Sequence, residues 1–408
     1  MQADIGRQIP SYVYEILAAL ARCGKRGYLV GGSLRDILRG VTPHDFDLTT
    51  DATPDEMLTV FKEWRTVPTG LAHGTVTVIT DGGPVEITTH RTDGAYTDSR
   101  HPDSVLFTDD ITKDLARRDF TVNAMAWSDT HGLIDPFDGS GDLARGILRA
   151  VGEPRLRFTE DALRILRLFR FAAQLDFEIE PATLQAAGES AAGLAEISVE
   201  RILSELTRTV TAPAAKKGLR ALLDTGCAPY VFLDSLPDEG ALDALQALPA
   251  EAPLRLAALL HRSTPDKLSR LAARWHASNA FTKALTAAVT ALAAPVPVTP
   301  FEARRYVCTY FPHFEKGLLL RAALLGESTE EAIALCRRVL ADGTAVEIRR
   351  LAVNGRELQD ELGVRPDKTG LLLSRLQQLV WEEPARNRRA VLLCLARDIL
   401  EKEKHIYE

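Results

Sequence analysis

Asp45 and Asp47 stand one residue apart in YLVGGSLRDILRGVTPHDFDLTT, downstream of the turn Gly31-Gly32-Ser33-Leu34-Arg35-Asp36. In an extended strand, side chains at i and i+2 leave the same face, so the two carboxylates point together while Phe46 turns the other way into a core. Side-by-side carboxylates repel unless a cation lies between them. Hard oxygen ligands of this kind suit Mg²⁺, which keeps several waters and completes its shell with substrate phosphates. A two-metal arrangement would activate a terminal hydroxyl for in-line attack and stabilise departing pyrophosphate. Glu86, in Pro84-Val85-Glu86-Ile87-Thr88, lies on another alternating strand and is a candidate third carboxylate. Taken alone, a DxD pair also describes a solvated loop or cap; its place after the glycine turn favours the metal reading.

The elements that must position these groups are legible nearby. Tyr28-Leu29-Val30 reads as a short buried strand, Gly31-Gly32 as the turn after it, and Leu34, Ile37 and Leu38 as the apolar stripe of a helix. Strand, glycine turn and helix start together make an anion site. Backbone N–H groups at Gly32 can approach a polyphosphate, the helix N-terminus adds its positive dipole end, and Arg35 supplies a charged planar fork that Asp36 orients. In Arg117-Arg118-Asp119-Phe120-Thr121-Val122-Asn123, adjacent charges precede what reads as an alternating strand. Arg118 and Asp119 there either face a ribose and phosphates or form an ordinary ion pair. Residues 160–170 read as an amphipathic helix with Thr159 as its N-cap. Asp161, Arg164, Arg167 and Arg170 recur every three residues and form one charged face, which is either solvated or functional. Residues 93–103 carry no strand or helical period and read as a mobile surface loop, at the least a hairpin connection.

The ordered series LVGGSLRD, HDFDLTT, EITTHR, DGAYTDSRHPDSV, RRDFTVNAMAW, DPFDGSGDL, EDALRILRLFRFAAQLDF and VERILSEL, over residues 28–206, resembles the motifs of the class II tRNA nucleotidyltransferases, the CCA-adding and poly(A) polymerase family. The resemblance implies a polymerase-beta-like mixed sheet with helices, a nucleotide contact for Arg118, and a base-reading role for the helix at 160–170. A carboxylate accepts from the exocyclic amine of cytosine or adenine and an arginine donates to the adjacent ring acceptor, so Asp161 with Arg164 would imitate a base-pairing edge. Arg167 and Arg170 would then hold phosphates or the helix itself. The implied partners are tRNA, CTP and ATP, with protein side chains replacing a template. The loop at 93–103 is the family's device for switching to the final adenosine, which argues against an enzyme that adds only the two cytidines. An A-adding enzyme, a poly(A) polymerase and a catalytically dead RNA-binding protein are the alternatives. The last is opposed by intact Asp45, Asp47 and Arg118, and poly(A) synthesis by Leu71-Ala72-His73-Gly74-Thr75, where a more basic run is expected. Some relatives append a His-Asp phosphohydrolase. Here Leu259-Leu260-His261-Arg262 occupies the comparable spot, and an arginine cannot ligate the metal, so no hydrolase is expected and His261 is read as a packing residue.

Composition sets the frame. A chain of 408 residues holds more than one domain. Its composition shifts from β-like runs and glycine turns to Ala, Leu, Arg and Glu at helical spacing. This predicts an α/β head at 1–145, which the resemblance makes the nucleotidyltransferase, then an all-α remainder: a neck at 146–206, a body at 207–294 and a tail at 295–408, to which the implied tRNA would bind. Pro295-Val296-Pro297-Val298-Thr299-Pro300 reads as a stiff linker. In the tail, Arg349, Arg350, Arg356, Lys368, Arg375, Arg386, Arg388 and Arg389 are candidates for gripping tRNA phosphates, although nearby glutamates fit a solvated surface equally well. No membrane span or signal peptide is read, and five unpatterned cysteines suit a reducing cytoplasm. The net charge of −7 requires RNA-binding arginines to be clustered locally. No protein partner is inferred.

Overall fold

In the computed structural model, residues 5–71, 74–93 and 105–402 are described. Met1–Pro237 with Arg274–His276 form one compact unit, and Asp238–Ala273 with Ala277–Glu408 form a second. This two-way split is coarser than the expected head, neck, body and tail.

The first unit begins with Ser11–Arg22 (α1), Gly27–Val30 (β1), Gly31–Leu38 (α2), Asp47–Thr50 (β2) and Pro54–Val60 (α3). Arg65–Gly70 (β3), Thr75–Thr80 (β4) and Gly83–Thr89 (β5) follow, then an antiparallel pair of Arg91–Asp93 (β6) and Val105–Phe107 (β7), the helix Ile111–Ala116 (α4), and Ala126–Ser128 (β8) with Gly132–Ile134 (β9). Among these residues seven strands make one mixed sheet in the order β3-β4-β5-β2-β1-β8-β9. Tyr28, Leu29 and Val30 are all buried, as a central strand covered on both faces requires. Val76, Val78, Val85 and Ile87 alternate into one core with Leu29 and Leu48, which α1, α2 and α3 cover through Val13, Ile16, Leu34, Ile37 and Met57. The opposite face therefore receives the intervening residues. There the parallel pairing of β2 with β5 sets Asp47 directly beside Glu86. The predicted loop at 93–103 lies outside the described residues apart from Asp93, which ends β6.

Two predicted elements are corrected. Residues 120–123 form no strand: Thr121–Asn123 is a 3-10 turn. Its cause is the Asp119 side chain, whose Oδ1 accepts from the Phe120 N–H at 2.8 Å and the Asn123 amide at 3.1 Å and so pulls the backbone into a turn. The helix expected across 160–170 is instead two helices, Pro154–Glu160 (α6) and Leu163–Leu175 (α7), after Gly139–Arg145 (α5). Thr159 does not cap; it lies within α6 and its hydroxyl donates to the Arg155 carbonyl. Asp161 is extended, with φ −146° and ψ 102°, and its Oδ1 accepts from the Leu163 N–H at 3.0 Å. It thus starts the second helix.

Pro181–Glu189 (α8), Val199–Val210 (α9) and Ala215–Asp224 (α10) complete the helical layer, with α9 and α10 packed on α7. Gly218 permits that approach: a Cβ there would lie 2.2 Å from the Phe169 carbonyl oxygen. In the second unit, helices surround two apolar clusters, one on Val307, Phe314, Leu318 and Val339, the other on Leu358, Leu372, Leu376 and Leu392. The Pro295–Pro300 run, expected as a linker, joins Asn279–Leu292 to Pro300–Tyr310 inside this unit. No described helix is long and apolar enough to cross a membrane.

Candidate active site

The predicted residues converge in one cavity of about 430 Å³, within the range of small-ligand sites. Gly31, Gly32, Arg35, Asp45, Asp47, Arg118, Asp119, Asp161, Arg164, Arg167 and Arg170 all line it. Glu86 does not. It opens instead, with Thr75, Thr88 and Arg91, onto an adjoining cavity of about 250 Å³ that Asp47 and Arg118 share.

The floor is the end of the sheet. Only Asp47 belongs to β2; Asp45 precedes it, with Phe46 buried between them as alternation requires. Burial, then the neighbouring charges of Asp45 and Glu86, push the Asp47 carboxyl up to about 6 against the opposing pull of Arg118. A carboxylate whose affinity for protons is raised by neighbouring negative charge marks a place for a cation. Among the described residues no three His, Cys, Asp or Glu side chains converge as a complete metal cage. A donor set of Asp45 and Asp47 that leaves ligand positions for water and phosphate suits Mg²⁺.

The glycine side of the cavity is built on α2, which starts at Gly31 itself, so the two glycines are its first turn and not a separate loop. Its N-cap residue, Val30, makes no side-chain cap, which leaves the first-turn N–H groups for an anion. Gly31 has φ 70°, and a Cβ there would stand 3.6 Å from Arg118 Nη1 and 3.7 Å from Asp47 Oδ2. Arg35 donates to Asp36 Oδ1 at 3.0 Å, as expected, and to Asn123 Oδ1 at 2.8 Å.

Arg118 is held from beneath by Asp114, a carboxylate that sequence reasoning missed. Asp114 is fully buried on α4 and accepts from Arg117 Nε and Nη2 at 3.0 and 2.7 Å and from Arg118 Nη2 at 3.1 Å. Burial alone would raise its pKa, but Arg118 and Arg117 outweigh it and hold it at about 2. The i+3 and i+4 spacing of Asp114 to Arg117 and Arg118 was the available clue. Asp119 does not face solvent as an edge residue would: its Oδ2 accepts from Arg167 Nε and Nη2 at 2.8 and 2.5 Å, and despite burial Arg167 and Asn123 hold it at about 2.

The far wall comes from Asp161, α7 and α9. Asp161 Oδ2 accepts from Arg201 Nη2 at 3.2 Å, a partner on α9 that spacing did not suggest. Arg164 donates to Glu160 Oε2 at 2.6 Å and to the carbonyls of Arg157 and Arg117 at 3.0 and 2.9 Å. Three of its five N–H donors are thereby used and two remain. Arg170 pairs with Glu205 at 2.9 Å, and burial lowers its pKa to about 10. Phe171, Gln174 and Leu163 also line the cavity, as do Arg117, Asn123 and Arg201.

Away from this site, His261 Nδ1 lies 2.8 Å from the Ala258 carbonyl at the end of a helix. In the second unit, Arg349 pairs with Glu347, Arg386 with Glu382 and Glu383, and Arg389 with Glu357 and Glu361. The five cysteines are unpaired.

Known proteins share this architecture. Residues 27–149 match the Poly A polymerase head domain, and residues 176–237 match the probable RNA and SrmB-binding site of polymerase A. The CCA-adding enzyme of Limosilactobacillus fermentum is 35% identical over 94% of this chain and 96% of its own, and that of Lactiplantibacillus plantarum is 36% identical over 96% of each. The Bacillus stearothermophilus CCA-adding enzyme in complex with CTP superposes with a TM-score of 0.82 at 30% identity, covering 97% of this chain and 98% of that one. With such identity running through nearly the whole of both chains, this protein belongs to the CCA-adding enzyme family.

Proposed function

We propose that this chain builds the 3′ CCA end of tRNA from CTP and ATP, without a nucleic-acid template, releasing pyrophosphate at each addition. One observation carries the reading: the Asp45–Asp47 pair and the Asp161–Arg164 pair face a single cavity, so the group that joins a nucleotide and the group that selects it address the same molecule. Asp45 and Asp47 hold Mg²⁺, with Glu86 as a third carboxylate on the side of the adjoining cavity. When bound, Mg²⁺ supplies charge neutralisation at the triphosphate and acidifies the attacking hydroxyl. The α2 N-terminus and Arg35 orient the triphosphate, and Arg118 reaches the ribose and phosphates from its seat on Asp114.

Asp161 accepts from the amine of cytosine or adenine and Arg164 donates to the ring acceptor beside it, whereas uracil and guanine would set a carbonyl against a carboxylate. Asp119 acts through Arg167, and Arg170 stiffens the same wall. The cavity beyond Asp47, lined by Glu86 and Arg91, admits the growing tRNA end, so nucleotide and acceptor meet at Asp47, which lines both cavities. On this reading the protein works in the cytoplasm, alongside its tRNA, CTP and ATP.

The test uses tRNAs ending before the CCA, after one C and after both Cs, each incubated with CTP, ATP or both, and the products sized. Extension of all three to the mature end supports the proposal. Extension of the CC-ended substrate alone assigns A-addition only, and long adenosine tracts assign poly(A) synthesis.

A further inference from the structure

Three of the cavity's arginines converge on one neutral side chain. The guanidinium carbons of Arg35, Arg167 and Arg170 lie 5.4, 5.5 and 4.2 Å from the centre of the Phe171 ring. They come from separate places: Arg35 from α2 beside the sheet, Arg167 and Arg170 from α7. The ring is buried, lines the cavity, and is steadied by an edge-on contact with Phe120 at 5.8 Å. All three distances fall within the reach of a cation over an aromatic face.

Like charges gathered in a partly desolvated pocket repel; Asp36, Asp119 and Glu205 each bond one of the three arginines, whereas the ring meets all three. A carboxylate there would attract them more strongly, but it would also take their N–H donors and repel the incoming triphosphate. An aromatic face draws cations through its quadrupole and accepts no strong hydrogen bond, so donors stay available. Each arginine also has polar partners of its own: Arg35 has Asp36 and Asn123, Arg167 has Asp119 and Arg170 has Glu205.

We infer that Phe171 is a positioning residue that assembles Arg35, Arg167 and Arg170 into one triphosphate-binding cluster spanning the sheet and the helical layer. The inference rests on the proposed nucleotide chemistry and adds a residue to it. The cluster grips phosphate and not base, so losing the ring weakens every nucleotide alike and leaves the choice among bases where it was.

The test is calorimetric binding of CTP, ATP and inorganic tripolyphosphate to the full chain without tRNA, paired with kcat and KM for all four nucleotides. Phe171→Leu should raise the dissociation constants for CTP, ATP and tripolyphosphate together by about tenfold, appearing mainly in KM, with C and A still preferred over U and G. Fluorinated phenylalanines at position 171 keep the shape while draining the ring's negative face. Affinity for tripolyphosphate should fall stepwise with each added fluorine, which a purely structural role would not produce. Unchanged tripolyphosphate affinity in Phe171→Leu, or a flat fluorination series, overturns the inference while leaving the functional reading intact. Failure of the unaltered protein to bind CTP at all overturns both. Where Phe171→Leu does not fold, the fluorinated series decides alone.

Discussion

Replacing Asp161 by alanine should produce two separable losses, because this carboxylate does two jobs. Oδ1 accepts from the Leu163 N–H and so starts α7, and Oδ2 is held by Arg201. Each oxygen carries two acceptor positions, so one on each remains for a base. Loss of the cap costs about 1 kcal/mol and loosens the wall for every nucleotide, roughly a fivefold uniform fall in kcat/KM. Loss of the base contact costs a further 1–3 kcal/mol, about 5- to 150-fold, but only for CTP and ATP, whose amines it receives. UTP and GTP, which meet a carboxylate unfavourably, escape that second loss. Selectivity for C and A over U and G should therefore collapse by about 5- to 150-fold beneath a smaller common decline. Arg164→Ala should weaken both correct nucleotides, since its two remaining donors disappear. The assay is kcat/KM for all four nucleotides on one tRNA. If Asp161→Ala slows all four by the same factor, the residue serves only α7, and base choice resides elsewhere in the cavity.

Asp45→Ala or Asp47→Ala should abolish incorporation of CTP and ATP together by several orders of magnitude, and near-normal turnover with Mg²⁺ would remove them from the mechanism; a mild loss in Glu86→Ala would demote that carboxylate to packing. Because the Asp47 pKa is raised from 3.8 to about 6, the folded metal-free protein prefers it protonated, so stability in chelator should fall as pH rises from about 4 to about 6. Asp47→Asn should remove that fall, of which about 1.4 kcal/mol is read between thermal melts at pH 5 and 8. Asp114, depressed to about 2, has the opposite sign: its contribution is full above about pH 4 and lost on acidification towards 2. Asp114→Asn should cost about 3–5 kcal/mol near neutrality and flatten the acid limb of the melting profile. Exchanging residues 93–103 for a short Gly/Ser linker should spare CC addition and suppress the terminal adenosine, and equal loss of both would make that segment a support of the fold.

What the sequence disclosed was governed by local periodicity. The burial of Phe46 between Asp45 and Asp47, the apolar run at 28–30 and the Asp36–Arg35 bond follow from alternation or adjacency. The failures share a different cause. Thr159 and Asp161 are both capping residue types, and only the upstream helix from Pro154, which absorbs Thr159, decides between them. Phe120-Thr121-Val122 alternates like a strand, yet the Asp119 carboxylate takes the N–H that a ladder would need. The bonds from Arg167 to Asp119 and from Arg201 to Asp161 span 48 and 40 residues, beyond any spacing rule. Glu86 was legible as a carboxylate on a strand, but its register against Asp47 is fixed by strand order, which leaves no local mark.

The grip of Arg201 on Asp161 has a developmental meaning for the polypeptide. Everything that spaces the acidic residues is in place once the strand ending at Ile134 has been laid down, whereas the guanidinium that steadies Asp161 arrives many residues later. During synthesis from the N-terminus, the carboxylate floor would be complete before the helical wall that meets base and triphosphate, and discrimination would begin when α9 docks on α7. Seen over generations instead of seconds, the same separation lets the choice of monomer be rewritten in the helical layer while the reaction centre on the sheet stays untouched.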